Sequence, residues 1–287
     1  MVGDGPAPSI GLPQIDRPAG PNRRRGSKLI EDDLAADAAN RTPSRLASCL
    51  QAASTDPDAT VDTASKWLRE TTGPAQVEPQ LCLGIAYSGL GAWTEAESAF
   101  LSGRASAAPE DHLHRARLGG MAGNAALADG EPVRALTTLD TAAAEARAAQ
   151  IPTLIGEIEI DRSRALVALH READAASELA DARAAAPDNP LGWLLSATLS
   201  RRLGHLAEAQ TQIETAARLA PTDPEIGLEA GVIAVLAGHD EAARKDWQSV
   251  LAIAPQSEAG TQASTYLAQL GPPAAASPAP LVPAPHP

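Results

Sequence analysis

Aromatic side chains are nearly missing from this sequence: four Trp, two Tyr and one Phe in 287 residues. A chain so poor in them must bury small side chains at close helix–helix approach, which argues against a sheet core built on aromatic and β-branched residues. The fold class that follows is all-α. Only two cysteines occur, Cys49 and Cys82, and they lack the spacing of a metal-ligand set. Both fall in predicted helices and read as buried small hydrophobes in a reducing compartment. No apolar run approaches the ~18 residues that a membrane span needs. The start, Met1-Val-Gly-Asp-Gly-Pro6, offers no basic cluster followed by an apolar stretch, so no cleaved leader is predicted and the placement is cytoplasmic.

Basic charge is also in short supply. The net charge is −13, and residues 46–270 hold sixteen basic against thirty acidic side chains. Phosphate contacts need a basic face, so this balance disfavours nucleic acid as the main partner and favours basic or apolar protein ligands.

Catalytic patterns are absent too. The sequence holds no Gly-x-Gly-x-x-Gly, no Gly-x-x-x-x-Gly-Lys and no Gly-x-Ser-x-Gly. His112 and His114 stand two apart and share no helix face, while His205 and His239 follow turn glycines and read as helix-terminal residues beside exposed carbonyls. Glu157, Glu159 and Asp161 alternate by two and point around their helix, so no carboxylate pair for glycoside chemistry can be nominated. The expectation is no enzyme, no metal and no cofactor.

What is present is a period. Pro190 to Gly204, Ala209 and Pro221 recurs 34 residues later as Pro224 to Gly238, Ala243 and Pro255. A repeat of that length is one supersecondary unit that cannot bury its apolar face alone and must stack on its neighbours. The units are helical hairpins, a first helix A and a second helix B. Gly91, Gly130, Gly204 and Gly238 supply the turn, with His170 in place of a fifth glycine, and Pro109, Pro187, Pro221 and Pro255 stop helix B. Gly84, Ala197 and Gly231 let helix A approach helix B, where Ala96, Ala209 and Ala243 make the matching contact. Tyr87, Phe100, Trp193 and Trp247 fill the holes between pairs, so Trp193→Ala is expected to cost roughly 3 to 5 kcal/mol.

The markers divide the chain into residues 1–42, an arm rich in Gly, Pro and mixed charge that is predicted to be disordered, a helical repeat domain over 43–270, and a Pro/Ala-rich tail over 271–287. Order is predicted to begin at Thr42-Pro43-Ser44, with a divergent first hairpin. Two units between Pro109 and Pro187 average 39 residues, which demands helices about a turn longer or longer connections. A helix over 257–270, with Ala263, Tyr266, Leu267 and Leu270 as its stripe, is expected to cap the last apolar face.

In order, the large or apolar residue, Leu83-Gly84, Tyr87, Gly91, Ala96, Phe100 and Pro109 resemble the tetratricopeptide repeat, TPR. The resemblance implies five to six hairpins in a right-handed superhelical solenoid whose concave face, lined by helix A residues, binds a protein segment. Aligned by turn residue, that lining is Leu81 and Ile85, then Met121, Asn124 and Leu127, then Ile160, Arg164 and Val167. Leu194, Thr198 and Arg201 follow, and last Leu228 and Val232. The apolar members have two possible fates, packing on the neighbouring helix or on the chain's own tails, or meeting a ligand. Acidic rims at Glu78, Glu157, Glu225 and Glu229 predict an amphipathic ligand with basic flanks. Family members that bind chaperone tails grip a terminal carboxylate with Lys, Asn and Arg; here only Asn124, Arg164, Arg201 and Arg202 are of that type, and the activity is not carried over. The function implied is a non-enzymatic interaction scaffold with a protein or peptide partner and neither nucleic acid nor membrane. The alternative is an accessory or regulatory subunit of an enzyme or envelope-assembly system.

Overall fold

A computed structural model describes residues 44–271, so the expectations for the N-terminal arm and for the tail beyond Gly271 lie outside the described residues. Among the described residues there are thirteen α-helices and no strand. They divide into two compact bodies, residues 44–199 and residues 200–271.

The first body holds α1 (Arg45–Thr55), α2 (Pro57–Arg69), α3 (Val77–Leu90), α4 (Trp93–Ser106), α5 (His112–Ala128), α6 (Pro132–Ala149), α7 (Pro152–Ala168), α8 (Glu172–Ala185) and the larger part of α9 (Pro190–Arg202). The second holds the end of α9, α10 (Leu206–Leu219), α11 (Pro224–Leu236), α12 (Asp240–Ile253) and α13 (Glu258–Leu270). At the start of the first helix the Ser44 hydroxyl caps α1 by accepting from the Ala47 amide at 3.0 Å. The lengthened middle is as expected for three of its four helices: α5, α6 and α7 run 17, 18 and 17 residues and α8 runs 14, against 13 or 14 in the 34-residue units.

One contact recurs with a fixed register. Counting from the first residue of each helix B, the fourth position is Ala96, Ala135, Ala175, Ala209 or Ala243, each with no exposed surface. The eighth is a large buried residue: Phe100, Leu139, Leu179, Ile213 or Trp247. Sixteen residues before Phe100, Leu139 and Trp247 stands a helix A glycine, Gly84, Gly123 or Gly231. A Cβ on Gly84 would overlap the Phe100 ring, one on Gly231 the Trp247 indole, and one on Gly123 would sit 2.5 Å from Leu139 Cγ. The missing side chain on helix A is the space into which the large residue on helix B fits.

The turns share a hydrogen-bond pattern. Gly204 N–H donates to Arg201 O at 3.0 Å and His205 N–H to Ser200 O at 2.8 Å, and Gly238 and His239 make the corresponding bonds to Val235 and Ala234. This paired closure needs a left-handed residue, and φ is +73° to +81° at Gly91, Gly130, Gly204 and Gly238. It is the main-chain N–H of His205 and His239 that meets the exposed carbonyls. His170 takes the same role at φ +56° although it has a Cβ. The last apolar face, Leu228, Val232 and Trp247, is covered by Ala259, Ala263 and Tyr266 of α13, so that helix caps the array as expected.

Two expectations change. Cys49 of α1 and Cys82 of α3 are buried, as predicted for small hydrophobes, but they are joined in a disulfide with Cα atoms 6.1 Å apart. The cytoplasmic placement leaned on free thiols, and that ground falls away. Trp193 is half-buried rather than enclosed: its indole N–H donates to Pro187 O at 2.8 Å and the Arg183 guanidinium lies 5.1 Å from its ring. An edge position at the start of α9 leaves one side of the ring in water.

Three substitutions check these assignments by thermal and urea denaturation. His170→Gly should stabilise the chain by about 1 kcal/mol, because a left-handed position strains a residue with a Cβ. Trp247→Ala should cost roughly 3 to 5 kcal/mol, and Trp193→Ala clearly less, since only the former empties a closed core.

Candidate interaction face

In the first body the A helices stand side by side. A Cβ added to Gly120 of α5 would lie 3.5 Å from Ile158 of α7, and one on Gly192 of α9 would lie 3.6 Å from Ile160. The predicted lining therefore falls on neighbouring elements, but its members differ in availability. Leu81, Ile85 and Met121 are half-buried against the core formed by Val77, Phe100 and Leu118. Leu127 packs on the core around Leu139, and Val167 on the core around Leu179. Leu194 is half-buried, and Thr198 is bonded back to its carbonyl at 3.1 Å. Ile160 lies inside the core at 1 % exposure. In the second body Leu228 and Val232 are buried beneath α13. Those three were expected on the lining, and the structure puts them in the core; for the last two, the capping helix itself takes the face they would have offered.

The polar candidates are engaged with acids. Asn124 Nδ2 donates to Asp161 Oδ2 at 2.8 Å, and Arg164 Nη1 reaches Asp161 Oδ1 at 3.3 Å. Arg201 grips Glu229 through Nε at 2.6 Å and Nη2 at 3.3 Å. Glu229 is thus a buried ion-pair partner and not a rim acid. Beside that pair, burial and the Glu229 charge push the Tyr266 hydroxyl above its usual value, against the opposing Arg201. A carboxylate clamp needs cations free to meet a ligand; here Arg164 and Arg201 are spent on the chain's own carboxylates, and Arg202 is exposed at the end of α9.

Two charge clusters in the first body were not legible in the sequence. Glu145 of α6 receives His112 Nδ1 at 2.7 Å and Arg115 Nε at 2.8 Å, with Arg104 Nη2 at 3.6 Å. Burial would raise its carboxyl, but Arg115 and His112 hold it below the ordinary glutamate value. The second cluster centres on Glu159, whose side chain has no appreciable exposure. Arg162 Nη1 donates to Glu159 Oε2 at 2.6 Å and to Glu178 Oε2 at 2.5 Å, Arg162 Nε donates to Asp140 at 3.0 Å, and Arg147 also bonds Glu159. Glu159 and Asp161 are both buried although they point away from each other: Glu159 meets Arg147 of α6, and Asp161 meets Asn124 of α5. Burial and the adjacent Glu159 raise the Glu178 carboxyl to about 8. Burial also opposes ionisation of Glu159, but the hydrogen bonds from Glu178 and Arg162 and the charge of Arg147 hold it below its ordinary value. At neutral pH the two carboxyls therefore hold one proton between them.

Among the described residues no group of His, Cys, Asp and Glu has the geometry to hold a metal ion, and no helix is long and apolar enough to cross a membrane.

Stacked antiparallel hairpins with a small-against-large contact in fixed register define a helical-repeat protein. Comparison with known proteins narrows the class. No protein-family model matches the chain, and no curated protein does. Solved structures do match. PilW, a widely conserved type IV pilus biogenesis factor, is similar at 15 % identity over 83 % of this chain and 96 % of its own, with a TM-score of 0.60. The thermophilic TPR protein TTC0263 of Thermus thermophilus matches at 21 % identity over 66 % of this chain and 97 % of its own, TM-score 0.54. PilF of Pseudomonas aeruginosa matches at 13 % identity over 85 % and 98 %, TM-score 0.59. The chain has the tetratricopeptide-repeat fold.

The shared proton is measurable. An unfolded glutamate has a value near 4.5 and folded Glu178 about 8, so between these pH values the native state holds a proton that the unfolded chain has released. Stability from this group therefore falls as pH rises through that window. Glu178→Gln, which keeps a donor for Glu159, should melt close to wild type at pH 5 and above it at pH 9. Parallel melting curves at both pH values would show that the pair shares no proton.

Proposed function

We propose that the protein is a non-enzymatic scaffold that binds a protein segment along the A helices of residues 77–199. The observation that carries this reading is the run of half-buried apolar side chains on adjacent helices, Leu81 and Ile85, then Met121 and Leu127, then Val167 and Leu194. Each keeps some exposed surface, and the five from Leu81 to Val167 rest on packed cores, which is the condition for an apolar contact that is available yet preorganised. An amphipathic helix or an extended segment fits such a lining. Glu78 is exposed and Glu157 half-exposed, and these acids favour basic residues flanking the apolar stretch of the ligand. The Asn124–Asp161–Arg164 group gives the lining a polar centre that would fix register rather than supply most of the affinity.

A second reading, accessory work in envelope assembly, is favoured by the disulfide. Structural disulfides persist in oxidising compartments and are rare in the cytosol.

Capture from the native cell extract, followed by mass spectrometry, tests the first reading. Met121→Glu combined with Leu194→Glu should lower recovery of the partner by about tenfold, roughly 1.4 kcal/mol, with helicity and melting temperature preserved. Undiminished capture by that variant would remove this face from the binding argument.

A further inference from the structure

The first hairpin departs from the register that holds the others. At the eighth position of its helix B stands Ala64 in place of a large residue, and at the fourth Thr60 in place of alanine. Its turn is the single residue Asp56, with φ −144°, so the left-handed closure seen at Gly91 and Gly130 is missing. As a terminal unit it also has a neighbour on one side only among the described residues, which makes it the first part of a repeat array to open. In place of those contacts it has the Cys49–Cys82 disulfide, which ties α1 to α3 across a separation of 33 residues. The bond sits in a cluster with Ala64, Trp67, Leu83 and Ala99.

We infer that this disulfide is a redox-sensitive clasp for the N-terminal hairpin: in the oxidised chain α1 and α2 stay docked on α3, and in the reduced chain they open as a unit while the hairpins from α5 onward stay folded. Reduction takes two electrons and two protons from a dithiol, which closes to its own disulfide and leaves thiols on Cys49 and Cys82. The bond is buried, so reduction goes through transient opening of the terminal hairpin, and the free thiols remove the restraint that returns it. Opening uncovers Leu83, Tyr87 and Ala99 together with the Cys82 thiol, an apolar face that the docked hairpin hides. The redox state of the surroundings thereby sets where the folded array begins.

Hydrogen exchange of the full chain, read by mass spectrometry, tests the clasp. The arms are oxidised protein, protein treated with dithiothreitol and checked for two free thiols by alkylation, and Cys49→Ala/Cys82→Ala. Amides of residues 45–69 should exchange about tenfold faster or more in the reduced protein and in the double variant, with residues 112–185 unchanged. Equal protection of 45–69 in all three arms would overturn the inference, because the hairpin would then hold without the bond. Loss of protection across 112–185 as well would also overturn it, since the disulfide would be supporting the whole first body. Resistance of the native disulfide to dithiothreitol leaves the double variant to decide on the same readout.

Discussion

The structure depends on a size complementarity between two helices of a hairpin. Where helix A gives up its side chain, helix B inserts a large one, and an alanine one turn earlier lets the backbones draw together. Gly84 with Phe100, Gly123 with Leu139 and Gly231 with Trp247 are three versions of one contact. The large residue differs each time, yet the space it fills is opened at the same sequence distance. Interior packing density tolerates such exchanges only when the partner surface is matched. A chain with seven aromatics in all places two of them, Phe100 and Trp247, at this position.

Charge does a second kind of work. Glu145, Glu159, Asp161 and Glu229 are all withdrawn from water, and each is met by at least one arginine. Leaving any of these carboxylates buried without its cation would cost several kcal/mol, so these pairs constrain which helix can stand beside which. Apolar contacts between alanine-rich helices are permissive about rotation and sliding. Buried ion pairs are not, and Arg162, which reaches Asp140, Glu159 and Glu178 on three helices, fixes α6, α7 and α8 together.

Much of this was legible in the sequence because the repeat is punctuated by residues with one physical meaning. The turn glycines, the stop prolines, the substitution of His170 at a left-handed position and the extra length of the middle helices all follow from spacing. Burial beyond the hairpin was not legible. Leu228 and Val232 look like lining residues until α13 is seen to cover them, and Trp193 looks enclosed until the start of α9 is seen at an edge. Glu159 carried no outward sign, since a glutamate at one position of a helix reads as solvated unless the elements on both sides are known. The pairing of Cys49 with Cys82 failed for another reason: two cysteines permit a bond without requiring it, and only the first hairpin's poor fit to the register hinted that something else had to hold it.

The added length of the middle helices has a consequence for how such a chain can change. From Gly123 back to the start of α5 is 11 residues, against 7 from Gly84 back to the start of α3, and α6 runs 10 residues past Leu139, against 6 for α4 past Phe100. Both additions are about one helical turn and both lie at the end of the hairpin away from its glycine. Register is counted from the turn, so that far end can be lengthened by whole turns without moving any contact nearer the glycine. The hairpin behaves like a hinge-side ruler with a free end, and that free end is where a lineage can gain new surface, such as the one carrying His112, Arg115 and Glu145, while the packing that makes the fold stays untouched.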